Sequence, residues 1–266
     1  MAKASKQKKS IAAVKQKADS VVNKKMAEPA NLTAKSFIEK LKALQSDAEL
    51  KNIQRYFKSD KGEYGYGDKF IGVKMGKLFA LAISFNGMPI AEIEKLLDSP
   101  IHEARAGAVS IMDKESRSKK IAPDRLKEFY DLYMRRHDRI NNWDLVDLGC
   151  LYMTGSYLFD KPRKILYKLA LSKNIWERRT AILSTCYFIR QGDVDDTFKI
   201  AELLLKDKED LIHKAAGWMV RFAGSKNRQK LFNFLDRYAA TMPRTFLRNC
   251  IENLDKKERE HYLQLK

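Results

Sequence analysis

From Thr33 to the C-terminus, apolar residues recur at three- and four-residue intervals almost without a break, and alternating strand-like runs are scarce. Phe37, Leu41 and Leu44 make one amphipathic stripe, and Leu50, Ile53 and Phe57 make the next. After a break at 59–68, the pattern predicts helices over 74–84, 90–98, 102–116, 123–136, 143–153, 162–172, 175–190, 195–205, 208–222, 226–239, 243–252 and 255–263. Many short helices with short connections and no alternation with strands indicate stacked helical pairs. The tryptophans Trp143, Trp176 and Trp218 recur at intervals of 33 and 42, close to helical-repeat periods but irregular. The expected fold is therefore all-α, an α-solenoid of degenerate repeats whose concave face is basic and suits a long ligand.

Two stretches fall outside this pattern. Residues 1–31 are mostly Lys, Ala, Ser and Gln and read as a flexible basic tail, leaving 32–266 as a single domain. The tail lacks the apolar centre of a secretory signal and the arginines of a transit peptide. The break Lys61-Gly62-Glu63-Tyr64-Gly65-Tyr66-Gly67-Asp68 reads as a plain turn. No strand precedes it and no Gly-Lys-Ser/Thr follows, so it is not a phosphate-cradling loop.

Charge decides which partners are worth considering. The tail holds eight lysines against Asp19 and Glu28, a net +6 of the total +18, so the remainder still carries +12. Such an excess attracts a polyanion, and nucleic acid comes before an anionic membrane because no strongly amphipathic apolar tail accompanies it. Solubility charge alone is the competing explanation. The longest clean apolar run, Leu78 to Ile83, is too short to span a membrane. Three cysteines without metal-type spacing fit a reducing, cytoplasmic setting.

Three segments are candidates for chemistry. In Asn141-Asn142-Trp143-Asp144-Leu145-Val146-Asp147 either asparagine can cap a helix, and Trp143 and Asp147, four apart, share a face. Acidic residues in a first turn also complement the helix dipole, and a tryptophan beside them is commonly core. In Asn174-Ile175-Trp176-Glu177-Arg178-Arg179, Asn174 is a second cap. Arg179 lies at the margin of the apolar stripe, where it can fork onto a phosphate or form a salt bridge to a neighbouring repeat. In 211–222, Trp218 has Leu211, Ala215 and Phe222 to one side and Lys214 and Arg221 to the other, a boundary between core and basic surface. The four histidines have no zinc-ligand pairing, and no nucleophile elbow or Walker motif occurs. No metal or cofactor is expected.

At these segments the chain resembles the DNA alkylation repair family of HEAT-like-repeat glycosylases, the AlkD-like proteins. Gly62-Glu63-Tyr64-Gly65, Lys69-Phe70-Ile71-Gly72-Val73 and Met242-Pro243-Arg244-Thr245 also resemble its motifs, in collinear order from about residue 35 onward. The resemblance implies removal of cationic N3- or N7-alkylated purines from duplex DNA without metal or cofactor. It makes Asp147 the carboxylate that supports glycosidic cleavage, sets Trp143 and Trp218 against the lesion nucleotide, has Arg179 contact the DNA, and turns Tyr56 toward it. The segment 72–80 departs from the family, carrying Lys74, Gly76 and Phe79-Ala80 where an arginine, a proline and an Arg-Lys pair are expected, and Tyr66 replaces an acidic residue.

The physical roles agree. An alkylated purine cation is already a good leaving group, so the enzyme's task is to stabilise oxocarbenium character on the deoxyribose, which a half-buried carboxylate does. Asp147 takes that role, and Asp144, turned about 100° from Trp143, is structural or capping. Lys214 and Arg221 are expected on DNA phosphates. The expected protein is a monofunctional, monomeric, nucleoid-associated glycosylase. The alternatives are a non-catalytic HEAT-like-repeat protein that binds damaged or branched DNA, and a protein-binding solenoid.

Overall fold

The computed structural model describes residues 31–265, so the basic tail lies outside the described residues. From Thr33 onward the described residues form one compact unit, and the secondary structure within it is helical. The sole departure toward a sheet, among the described residues, is an isolated bridge between Lys69 and Ile101.

Helices α1 (Ala34–Lys42), α2 (Asp47–Tyr56), α3 (Met75–Ile83), α4 (Ile90–Leu97), α5 (His102–Ser116) and α6 (Pro123–Arg135) make the first half. The second half runs through α7 (Trp143–Gly149), a π-helical turn (Cys150–Thr154), α8 (Gly155–Leu158), α9 (Lys164–Ala170) and α10 (Ile175–Arg190). It closes with α11 (Asp195–Leu203), α12 (Asp210–Lys226), α13 (Arg228–Tyr238), α14 (Arg244–Cys250) and α15 (Lys256–Gln264). Packing is between near neighbours in two rows. One row runs α3, α5, α7, α10, α12, α14, each against the next; α4, α9, α11 and α13 back onto it. This is the nearest-neighbour stacking of an α-solenoid.

Side-chain chemistry sets the helix starts. Thr33 accepts the Ser36 amide, Asn142 the Trp143 amide and Asn174 the Trp176 amide, while Asp255 and Glu258 close a capping box. Helices α5 and α10 lie inside the stack and are buried on nearly every side, which is why polar groups such as Arg105, Asp113 and Thr180 are buried with the aliphatic ones. Where α12 meets α14 the backbones come close. A Cβ on Gly217 would lie 2.5 Å from Asn249 Cβ and 2.8 Å from the Phe246 carbonyl, so only glycine allows this approach.

Two expected boundaries are corrected. The helix expected over 143–153 turns π-helical at Cys150 and continues to Leu158, with Gly149 packed against Tyr133 and Gly155 against the Ser184 carbonyl. The helix expected over 208–222 runs from Asp210 to Lys226, since Gly224 packs against Leu231 instead of ending it.

Candidate nucleic-acid site

The row of inner helices brings distant residues to one cleft of about 490 Å³. Trp143 and Asp147 come from α7, Arg179 from α10, Lys214, Trp218 and Arg221 from α12, and Tyr56 from the end of α2; all line it. Every residue expected to act on substrate or DNA is therefore present in a single space, while Asp144 and Trp176 lie outside its lining. Tyr64, Leu211, Ala215 and Asn249 complete the lining. Leu211 and Ala215, expected on the core side of Trp218, thus share the cleft with it.

Asp147 and Arg179 form its centre. The guanidinium donates from Nε to Asp147 Oδ1 at 2.8 Å and from Nη2 to Oδ2 at 2.9 Å, a bidentate pair, and from Nη1 to the Leu211 carbonyl at 2.7 Å. The Arg179 side chain is 7% exposed and the Asp147 side chain 27%. The salt bridge to a neighbouring repeat is thus the geometry that Arg179 adopts, and its fork faces Asp147 rather than open solvent. Burial pushes the Asp147 carboxyl above its ordinary range; Arg179 pulls it back, and the nearby Asp144 adds to the rise. A carboxylate held this way is oriented, partly desolvated and still open on one side.

Four aromatic side chains line the cleft, and Tyr56, Trp143 and Trp218 among them differ in exposure. Tyr56 is 66% exposed and meets the half-buried Trp143 edge-on, with ring centroids 5.6 Å apart. Trp143 in turn stacks on buried Phe57 at 5.4 Å. Trp218 is 42% exposed on the opposite wall. Lys214 extends into solvent with only an exposed i,i+4 partner, Asp210. Arg221 is more committed, donating to the Asn249 carbonyl at 3.2 Å and pairing with Glu252.

Asn142, not Asn141, is the cap of α7. Asn141 and Asn142 each donate from Nδ2 to Asp68, at 3.1 and 3.3 Å. Asp144 is buried, accepts the Leu145 amide at 2.9 Å and lies 2.8 Å from His102 Nε2, so it is structural. The break at 59–68 is a run of turns, with Gly62 and Gly67 at positive φ. It is more than a plain connector, however: it supplies Tyr64 to the cleft and Asp68 to the buried network. The sequence assigns neither a role: the resemblance at Gly62-Glu63-Tyr64-Gly65 covers Tyr64, and Asp68 carries no such signal.

Next to the cleft, and sharing Tyr56, Trp143 and Asp147 with it, lies a larger aromatic cavity of about 1000 Å³ walled by Phe57, Phe70, Val73, Phe79 and His102. Buried Glu103 holds that wall by accepting the amides of Ile71, Gly72 and Val73 at 2.9–3.3 Å. Gly72 is required there: its φ is +78°, and a Cβ would lie 2.2 Å from the Ser46 carbonyl. Lys74 pairs with Glu49 at 3.0 Å.

The sequence profile of the family described as DNA alkylation repair enzyme matches residues 37–254. The chain belongs to this DNA alkylation repair family. A protein described as a predicted DNA alkylation repair enzyme from Enterococcus faecalis has the same fold, with a TM-score of 0.63 over 80% of this chain and 97% of that one at 17% identity. A search of curated proteins returns no match. The DNA alkylation repair match spans every residue of the cleft, from Tyr56 to Asn249. No helix among the described residues is long and apolar enough to cross a membrane.

Proposed function

We propose that the protein is a monofunctional DNA glycosylase that hydrolyses the N-glycosidic bond of cationic N3- or N7-alkylated purines in duplex DNA. The observation that carries this reading is the meeting of one oriented carboxylate, Asp147, with two indoles and two tyrosines in a single cleft of a DNA alkylation repair protein.

In this reading Trp143 and Trp218 attract the charged nucleotide through their ring faces. Tyr56, exposed at the cleft mouth, contacts the substrate, and Lys214 and Arg221 take phosphates. As the C1′–N9 bond breaks, its electron pair goes to the purine, which leaves neutral. Positive charge grows on the deoxyribose, and Asp147 stabilises it electrostatically. Water adds to C1′ and gives up its proton to the carboxylate or to solvent. Arg179 keeps both Asp147 oxygens aligned, and its N–H groups beyond these contacts reach DNA. Lys214's ion pair is exposed on both sides and worth little, so exchanging Asp210 for a phosphate is cheap.

The test is incubation of purified protein with methylated duplex DNA at low salt, followed by detection of free purines. Released N3-methyladenine or N7-methylguanine is expected. Binding without release overturns the reading in favour of a non-catalytic protein for damaged DNA.

A further inference from the structure

His102 begins α5 with a side chain only 1% exposed, and both of its ring nitrogens are engaged. Nδ1 lies 3.1 Å from Asp68 Oδ2, and Nε2 lies 2.8 Å from Asp144 Oδ2. Two ionised carboxylates offer no proton, so both contacts are hydrogen bonds only when both nitrogens carry one. The ring between them is thus an imidazolium. With one proton gone, a ring lone pair would face a carboxylate oxygen inside the fold, where repulsion is poorly screened.

The charges around it are few and assigned. Asp68, from the loop, also takes Arg105 Nη2 at 2.5 Å; Arg105 belongs to His102's own helix. Asp144 comes from α7. Glu103 is spent on the Ile71–Val73 amides. Phe57 and Phe70 pack against the imidazole, with centroids at 5.0 and 4.7 Å.

What this cluster holds is the first turn of α7. Asn141 and Asn142 hang from Asp68, and Asn142 and Asp144 accept the amides of Trp143 and Leu145. Trp143 stacks on Phe57, the ring that also touches His102. Asp147 lies one turn further along the same helix.

We propose that His102 is a positioning residue: clamped as a cation between Asp68 and Asp144, it seats the first turn of α7 and with it Trp143 and Asp147. Loss of its proton unseats them and sets an alkaline limit to cleavage. This rests on Asp147 being the acting carboxylate. Burial opposes the charge, but Asp144 and Asp68 outweigh it and push the imidazolium's pKa up to about 9.

Asp144→Asn distinguishes this role from simple structural support. An amide at 144 donates to a neutral Nε2, while Nδ1–H still donates to Asp68 and the remaining oxygen still accepts from Leu145. The clamp then closes around an uncharged ring. The experiment measures single-turnover purine release at saturating methylated duplex between pH 6 and pH 10, for wild type and Asp144→Asn. In the same pH series the free proteins are followed by NMR of the His102 ring and by fluorine NMR of 5-fluorotryptophan at position 143.

Wild type is expected to lose about 10-fold in rate per pH unit above the His102 midpoint, with the Trp143 resonance moving at the same midpoint. Asp144→Asn is expected to lack that limb. Changes in the DNA at high pH act on both proteins alike. Identical alkaline limbs in both, no limb in wild type, or a His102 titration near its ordinary value overturns the proposal. If no purine is released at any pH, the functional reading fails separately. The two resonances then decide the clamp: a shared midpoint near pH 9 in wild type, absent in Asp144→Asn, supports it, and an unmoved Trp143 signal overturns it.

Discussion

The two walls of the site use their charges in opposite ways. On the N-terminal wall, where the loop end at Asp68, α5 and the start of α7 meet, the central charges are buried and satisfied: Asp68 by Arg105 and His102, Asp144 by His102, Glu103 by backbone amides. On the C-terminal wall, α12 turns Trp218 and Lys214 out toward solvent. Buried, paired charges fix geometry at a cost in desolvation, whereas exposed ones contribute little to stability and remain available to a polyanion. In the proposed function this difference gives the N-terminal wall the task of holding the carboxylate and the C-terminal wall that of gripping DNA. It also gives meaning to the departures at 72–80, where Lys74 is paired with Glu49 and Phe79 lines the aromatic cavity.

If this division holds, substitutions on the holding side cost stability and those on the gripping side cost affinity. Arg179→Ala strips Asp147 of both hydrogen bonds and removes the side-chain donor to Leu211's carbonyl, which keeps its place in the α12 ladder. Chemical denaturation should show a loss of about 3 kcal/mol, the low end for broken buried pairs because Asp147 keeps some exposure. If stability is unchanged and only DNA affinity and its salt slope fall, Arg179 serves the grip alone and does not hold Asp147.

The pH dependence of folding sharpens the same contrast. His102 has a folded pKa raised to about 9 against an unfolded value of 6.5. Its contribution is therefore complete below pH 6.5 and is lost as pH rises through 9, about 3 kcal/mol in all. Asp68 works on the acid side. Burial alone would raise its pKa, but the His102 hydrogen bond and the Arg105 charge hold it far below the usual carboxylate range, so its contribution is lost as pH falls below 3.8. Urea midpoints from pH 6 to 8, below the range in which the buried thiols Cys150, Cys186 and Cys250 destabilise both proteins by ionising in the unfolded chain, should decline for wild type and stay level for His102→Ala; parallel curves would remove His102 from the account. Smallest in energy is Lys214→Ala, which should leave stability within about 0.5 kcal/mol. The same change should lower the slope of log affinity against log salt by about 1. An unchanged slope would mean that Lys214 touches no phosphate.

Much of this is legible in the sequence, and the reason is local. Helix periodicity and caps at Asn142 and Asn174 depend on residues a few positions apart, and α5, α6 and α10 begin and end within a residue of where the pattern puts them. Trp143, Asp147, Arg179 and Trp218 stood out because their segments carry family motifs. What stayed hidden depends on long-range partners. His102 reads as a histidine with no metal-type spacing; its meaning comes from Asp68 and Asp144, 34 and 42 residues away. Arg179 could be weighed between phosphate and salt bridge but not decided, because Asp147 is 32 residues off and the pairing follows from how α7 and α10 stack.

The central claim is that Asp147 acts on the sugar cation while the walls hold and grip. Its most direct test is Asp147→Asn, in which single-turnover release of N3-methyladenine from a saturating methylated duplex is measured beside the Kd for the same DNA. The rate should fall by about 10²-fold or more, with Kd nearly unchanged. Near-normal release, or a loss fully explained by weaker binding, would contradict the assignment.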